Sequence, residues 1–331
     1  MRVSRRHFIA TTTVAGAGLL MPQRAGAEGS AAANGDKVRK GAVENPGFFR
    51  FMLGDLEITT LSDGRRSANN PEKIYGIDQD PKVVAALLEE NLLPTGHLVN
   101  GFTPVLIRTG GELILFDTGL GAGARDAGQG RLIEQLKASG VMPEDVTLVA
   151  LTHFHGDHIG GLMENDRPSF PNARYAFGRK EFDFWTDPAR LDSPQKNNAA
   201  LVAKNVKPLA DKAVFLDDRA ELVPGIQALA AYGHTPGHLI FRVTASDGRT
   251  LMLTGDTVNH FVLSLQRPDW HVAFDMDKEM AAQTRKRVLD MIATDRLPFI
   301  GYHMPFPALA YVQKNGDSYR YVPETYQLRE I

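Results

Sequence analysis

The 331-residue sequence has no cysteine, which excludes a disulfide framework, a thiol nucleophile and any thiolate metal site. It has almost no net charge, formally -2 from 37 basic and 39 acidic residues, so the basic footprint that binds nucleic acid is missing. It also lacks an apolar run long enough to span a bilayer, since the weakly apolar stretch Ala10 to Met21 is too short for stable insertion. What remains is ordinary for a soluble globular chain: 43% hydrophobic and 23% charged residues, with length enough for a sizeable core.

The N-terminus reads Ser4-Arg5-Arg6-His7-Phe8-Ile9, a twin-arginine pair with the flanking residues that this export route favours. Ala25-Gly26-Ala27 supplies the small residues that a signal peptidase needs. The expectation is a signal peptide over 1–27, a mature N-terminus at Glu28, the twin-arginine export machinery as a partner, and a periplasmic or secreted protein. Its removal takes away four arginines and no acid, lowering the formal charge from -2 to -6. Residues 28–46 are rich in Ala, Gly and Asn without apolar periodicity and read as a linker. The folded domain is expected over 47–331.

Within it, Phe49 to Leu53 and Glu57 to Leu61 alternate around Gly54-Asp55 as a hairpin, and Thr103 to Arg108 pairs with Glu112 to Phe116 around Gly110-Gly111. Val146 to Leu151 is β-branched and apolar, as a buried strand should be. Further strands are expected near Ala173 to Phe177, Gln227 to Ala231, His238 to Thr244 and Thr250 to Thr254. Helices are expected at Pro81 to Leu93, Arg131 to Ser139, Arg179 to Trp185, Asn197 to Ala210 and Lys278 to Ala293. Strands and helices interleaved in this way fit an α/β fold, a four-layer αββα sandwich with two sheets face to face and helices on each outside.

The chemistry is concentrated in Thr152-His153-Phe154-His155-Gly156-Asp157-His158, directly after the apolar run ending at Leu151. Side chains two apart on an extended segment share one side, so His153 and His155 can hold one cation together. Gly156 permits a turn after which Asp157 and His158 can face a second. Three imidazoles and a carboxylate so close together would destabilise a core unless a metal organised them. Gly233-His234-Thr235-Pro236-Gly237-His238, Leu253-Thr254-Gly255-Asp256-Thr257 and Gly301-Tyr302-His303 each follow an apolar strand. Ligands in layered sheets collect at such strand ends.

This series resembles the metallo-β-lactamase superfamily. The resemblance implies one metal held by His153, His155 and His234, a second held by Asp157, His158 and His303, and Asp256 bridging the two. Asp117, in Phe116-Asp117-Thr118-Gly119, matches the superfamily's Asp-Thr-Gly motif and would orient a ligand. Two divalent metal ions per chain are implied; zinc suits imidazole and carboxylate, although manganese, cobalt or iron can occupy the same positions. Hydrolysis would proceed without a protein nucleophile, through a hydroxide shared by the metals, with Asp157 placed to align it and receive its proton.

Phe48 to Thr59, Phe170-Pro171-Asn172-Ala173, Lys180-Glu181, Asp183-Phe184-Trp185, Leu222 to Ile226 and Tyr319 to Pro323 are further similar to methyl parathion hydrolase and its lactonase relatives. By that resemblance Trp185 would line the leaving-group pocket. Residues 120–126 and 195–199 lack the aromatics of the specialised organophosphate enzymes, which points to lactones or other carboxylic esters as main substrates and phosphotriesters as a side activity. The competing readings are an organophosphate hydrolase and a non-hydrolytic periplasmic metal-binding protein; a homodimer is the assembly kept in view. Arg65-Arg66 is read as a solvated turn, His238 as a hydrogen-bonding loop residue, and His260 as a residue within possible reach of the pocket.

Overall fold

A computed structural model describes residues 47–326, so the expected signal and linker lie outside the described residues. Two seven-stranded sheets dominate. The first runs Phe48–Leu53, Leu56–Leu61, Val105–Arg108, Leu113–Phe116, Leu148–Ala150, Arg174–Gly178 and Ala213–Leu216 in spatial as well as chain order. The second runs Glu221–Val223, Ile226–Ala230, Leu239–Thr244, Thr250–Leu253, Phe299–Ile300, Leu309–Asn315 and Ser318–Pro323.

Period-two alternation explains why the sheets stack. In the first sheet Ile107, Ile114, Phe116, Leu148 and Ala150 face the second sheet, where they meet Phe241, Val243, Leu251 and Phe299. Their neighbours Leu106, Leu113, Leu115, Val149 and Leu151 turn outward onto Leu132 and Leu136 of the helix Leu132–Ala138 and Val202 of the helix Lys196–Asn205. A sheet buried on both faces therefore reads as a continuous apolar run rather than an amphipathic one. Phe116 and Phe241 meet edge to face at 4.9 Å across the sheet interface, an arrangement worth about 0.5–1.5 kcal/mol beyond burial. Outside the second sheet, the helix Lys278–Thr294 contributes Val288, Leu289 and Ile292 to the same core. The four-layer sandwich is the observed fold.

The expected strands and helices are present to within a few residues, except that the helix expected to reach Ala210 ends at Asn205 and continues as a 3-10 segment over Lys207–Lys212. Arg65 and Arg66 require a correction: they lie in the strand Gly64–Asn69, paired antiparallel with His97–Phe102. The strand Gly64–Asn69 is polar, and its partner lies far along the chain, so no local periodicity announces the pair. The structure adds a terminal hairpin, Leu309–Asn315 with Ser318–Pro323, whose turn is marked in the sequence by Gly316 at φ 62°.

Candidate metal centre

Every expected ligand follows the C-terminal end of a strand. His153 comes after Leu148–Ala150, His234 after Ile226–Ala230, Asp256 after Thr250–Leu253 and His303 after Phe299–Ile300. Parallel pairing of Leu113–Phe116 and Arg174–Gly178 about Leu148–Ala150, and of Thr250–Leu253 with Phe299–Ile300, sends several of these ends to one rim. The rim brings all seven together, in triads of His153, His155 and His234, of His153, His158 and Asp256, and of Asp157, His158 and His303.

At one pole three ring nitrogens converge, with His155 Nδ1 3.1 Å from His153 Nε2 and 2.9 Å from His234 Nε2. Their outer nitrogens settle which atoms carry protons. His234 Nδ1 donates to Asp275 Oδ1 at 2.8 Å. His153 Nδ1 lies 3.1 Å from Thr152 Oγ1, whose own hydrogen goes to Asp117 Oδ2. With their outer nitrogens donating, the neutral forms of both rings would turn lone pairs inward, and one proton on His155 cannot satisfy both. A cation can.

At the other pole His158 Nδ1 donates to Asp117 Oδ2 and His303 Nδ1 to the Gly101 carbonyl, each at 2.9 Å. Their Nε2 atoms face carboxylates: His158 lies 3.2 Å from Asp256 Oδ1, while His303 lies 3.1 Å from Asp256 Oδ2 and 3.4 Å from Asp157 Oδ2. His158 Nε2 and Asp256 Oδ1 are buried without a hydrogen-bond partner. Asp256 Oδ2 is also 3.4 Å from His234 Nε2, so this carboxylate stands between the poles. Inward-facing bases with anchored outer nitrogens are the arrangement a metal site needs, and the donor set fits two borderline or hard divalent cations.

The electrostatics separate the poles. Burial and the neighbouring imidazoles hold His153 well below the ordinary histidine range and take His155 to about 3. Burial also opposes charge on His158 and His303, but the surrounding carboxylates, Asp256 among them, outweigh it and hold both above that range. Asp256 is held well below the carboxylate range, because His303 and His158 outweigh its burial. His153 and His155 are thus neutral donors, whereas a cation at the second pole must displace protons from its imidazoles.

Asp117 takes the orienting position expected of it, accepting from His158 Nδ1 and from both the backbone and the hydroxyl of Thr152. Its φ of 60° is strained for a non-glycine residue, as is common where a functional side chain must be aimed. Trp185 is placed otherwise than expected. It lies in the core, 3% exposed, donates to Glu181 and presents an edge to His155 at 6.2 Å, and it is absent from the cavity walls. Its helix packs beneath the ligand loop, so the indole supports the imidazole from behind.

The His238 side chain does not bond within its own loop as expected: its Nε2 accepts from the Asp256 amide of the next ligand loop at 3.0 Å. His260 is turned to its own chain, its Nδ1 accepting from the amides of Val262 and Leu263, and it is not a cavity residue.

Three supporting residues were missed. Glu181, fully buried, accepts from Phe154 N, Trp185 Nε1, Thr235 Oγ1 and Gly237 N, which ties the His153 and His234 loops to one carboxylate. Gly237 is required there, since a Cβ would come within 2.1 Å of the Glu181 amide. Asp275 holds His234 with one oxygen and Arg285 with the other, at 2.7 Å. Tyr302 lies against the His158 ring at 3.9 Å between centroids and donates to the Asp157 carbonyl at 2.5 Å. No local sequence signal marks the role of any of the three.

A cavity of about 350 Å³ opens beside the cluster, reaching His155, Asp157, His234, Asp256 and His303. Its aromatic walls are Tyr75, Phe102 and Phe274, and Arg66 stands at its rim over the Phe102 ring at 5.7 Å. Arg65 and Arg66 are both exposed, as a solvated face requires, and Arg66 in addition reaches the cavity rim. The lack of aromatics in 120–126 and 195–199 was a poor guide to this cavity, whose rings come from other segments.

Residues 103–300 match the metallo-beta-lactamase superfamily, and the chain belongs to it as a metal-dependent hydrolase. Among curated relatives it is 26% identical over 210 residues to an N-acyl homoserine lactonase of Bacillus sp, across 60% of this chain and 76% of that protein. Among solved structures it is similar to AidC, a dizinc quorum-quenching lactonase in complex with a product, at 26% identity and TM-score 0.75, covering 85% of this chain and 98% of that one. The hydrolase AbOPH is similar at 26% identity and TM-score 0.77, covering 86% and 99%.

Proposed function

We propose that the chain opens lactones, and other carboxylic esters more slowly, at the centre formed by His153, His155, His234, Asp157, His158, His303 and Asp256. The observation that carries this is the pairing of inward-facing, outward-anchored ligands with a cavity at their side. Two divalent cations bound there, zinc by analogy with the dizinc relative, would acidify a water and polarise a carbonyl. The chain itself does the rest. Asp256 spans both poles, Asp157 offers an oxygen at the cavity wall to take up a proton, and Tyr75, Phe102 and Phe274 give the substrate apolar contact. Lactonase relatives support the lactone class; the segments that resemble methyl parathion hydrolase are the ground for proposing phosphotriesters as a minor activity.

The deciding experiment compares metal-replete enzyme on lactones, aryl esters and phosphotriesters. Lactones are expected to give the highest kcat/KM, with loss of turnover under a strong chelator. A phosphotriester preferred over every lactone, or turnover indifferent to chelation, would contradict the reading.

We also propose export. The twin-arginine pair and Ala25-Gly26-Ala27 support it, and N-terminal sequencing of periplasmic protein is expected to begin at Glu28. An intact Met1 on the active cellular form would oppose it.

A further inference from the structure

One charged side chain of the cavity wall has no task at the metal centre. The register of the rim hairpin sets Gly64 opposite Phe102, Arg66 opposite Asn100 and Ala68 opposite Leu98. Side chains alternate along a strand, so Arg66, Ala68, Leu98, Asn100 and Phe102 share one face, and all five line the cavity. Arg65, Ser67 and Val99 fall on the other face and do not line it. Strand pairing therefore turns the guanidinium of Arg66, and not that of Arg65, toward the site.

The surroundings of that guanidinium are neutral. Nη2 donates to Gln129 Oε1 at a long 3.4 Å, and the central carbon lies 5.7 Å from the middle of the Phe102 ring. Among the described residues no carboxylate pairs with it, whereas Arg125 and Arg285 each have an acid at 2.7 Å. The two acids of the cavity, Asp157 and Asp256, belong to the metal ligand groups. Arg66 is exposed and makes one side-chain hydrogen bond, so most of its five N–H donors are uncommitted. Phe102 is buried and also meets the His303 ring edge to face at 5.5 Å. A single fixed ring thus spans from a metal ligand to an unpaired cation. The planar fork of that cation matches a carboxylate or a phosphate.

We propose that Arg66 pairs with an anionic group, a carboxylate or a phosphate, on the arm of the substrate remote from the scissile carbonyl. The substrate is then an anionic lactone or ester, with its carbonyl at the metals, an apolar middle against Leu98 and Phe102, and its charge at the rim. The inference rests on the hydrolytic reading for where the carbonyl sits, and it adds the charge of the substrate. Divalent cations attract anions by themselves, so only the part of the preference that depends on Arg66 bears on it.

The test compares three γ-lactones on the metal-loaded mature protein, with side chains of equal length ending in a carboxylate, a phosphate monoester or a neutral primary amide, over a series of lengths. At its best length, at least one anionic lactone is expected to exceed the amide at least about fivefold in kcat/KM, mostly through KM, as an ion pair at a rim can supply. The end group that shows the gain distinguishes carboxylate from phosphate. In Arg66→Gln the ratio is expected to fall by about that factor, in Arg66→Glu further, and in Arg66→Lys only in part. Circular dichroism and metal content are measured alongside. Equal turnover of anionic and neutral lactones at every length would overturn the inference, as would a preference that Arg66→Gln leaves unchanged, which would assign it to the metals alone. Binding of the corresponding γ-lactams, which resist opening, separates the two readings. An Arg66-dependent preference among lactams with no lactone turned over would overturn the hydrolytic reading and leave this one standing.

Discussion

Asp275→Ala is expected to destabilise the fold by about 3–5 kcal/mol, because it leaves a buried guanidinium without its counter-charge. Arg285 is 1% exposed, and its remaining contacts are the carbonyls of Thr257, Pro268 and Trp270. Those carbonyls orient the guanidinium but cannot neutralise it. The same substitution releases His234 Nδ1, so the imidazole loses the acceptor that turns its Nε2 inward. Loss of such a partner typically weakens metal binding about 10–100-fold. Asp275→Asn keeps the shape and one acceptor, and should fall between the two. Denaturant unfolding together with metal titration reads both effects. A fully stable alanine variant with undiminished metal affinity would show that the Asp275 bridge is incidental.

Glu181→Ala should be comparably severe for a different reason. Four donors from two ligand loops and the Trp185 helix end on one carboxylate. Burial raises the Glu181 pKa even against those four hydrogen bonds, so the group is costly to keep and the loops depend on it. Each orphaned buried donor costs about 1–3 kcal/mol. Displacement of His155 and His234 by about 1 Å can cost about a hundredfold in rate. Glu181→Gln supplies an acceptor on one side only, and cannot accept from both the Gly237 amide and the Phe154 amide. Stability by calorimetry and kcat on a lactone should both drop, more for alanine than for glutamine. Retention of wild-type kcat in a folded Glu181→Ala protein would remove Glu181 from its positioning role.

These two residues also show where the sequence could and could not be read. His153, His155, Asp157 and His158 lie within a few residues of each other, so local geometry alone marks them as a site. His234, Asp256 and His303 were legible because each follows an apolar strand run and because their order matches a known superfamily. The sheets were legible for a similar reason, since their strands are short apolar runs with turn residues between them.

Asp275 and Glu181 carry no such mark. Each acts through partners far away in the chain, and an acid on a helix or loop looks like surface until the fold buries it. The rim hairpin of Gly64–Asn69 and His97–Phe102 was hidden because Arg65, Arg66, Ser67 and Asn69 have little strand propensity. That hairpin supplies Arg66, Ala68, Leu98, Asn100 and Phe102 to the cavity, so the substrate side was the least legible part. Trp185 illustrates the converse error: a conspicuous aromatic near the ligands turned inward, where its indole N–H found Glu181.

The most direct test of the whole account is the number of metal ions the protein holds. Metal analysis of the purified mature chain after saturation and removal of excess ions should give about two divalent cations per chain. Asp256 within reach of both poles and the two ligand groups around it require that number. His153→Ala should lower it, since a site missing one of its few ligands loses both charge and geometry. A saturated wild-type protein holding one cation or none would contradict the two-pole centre.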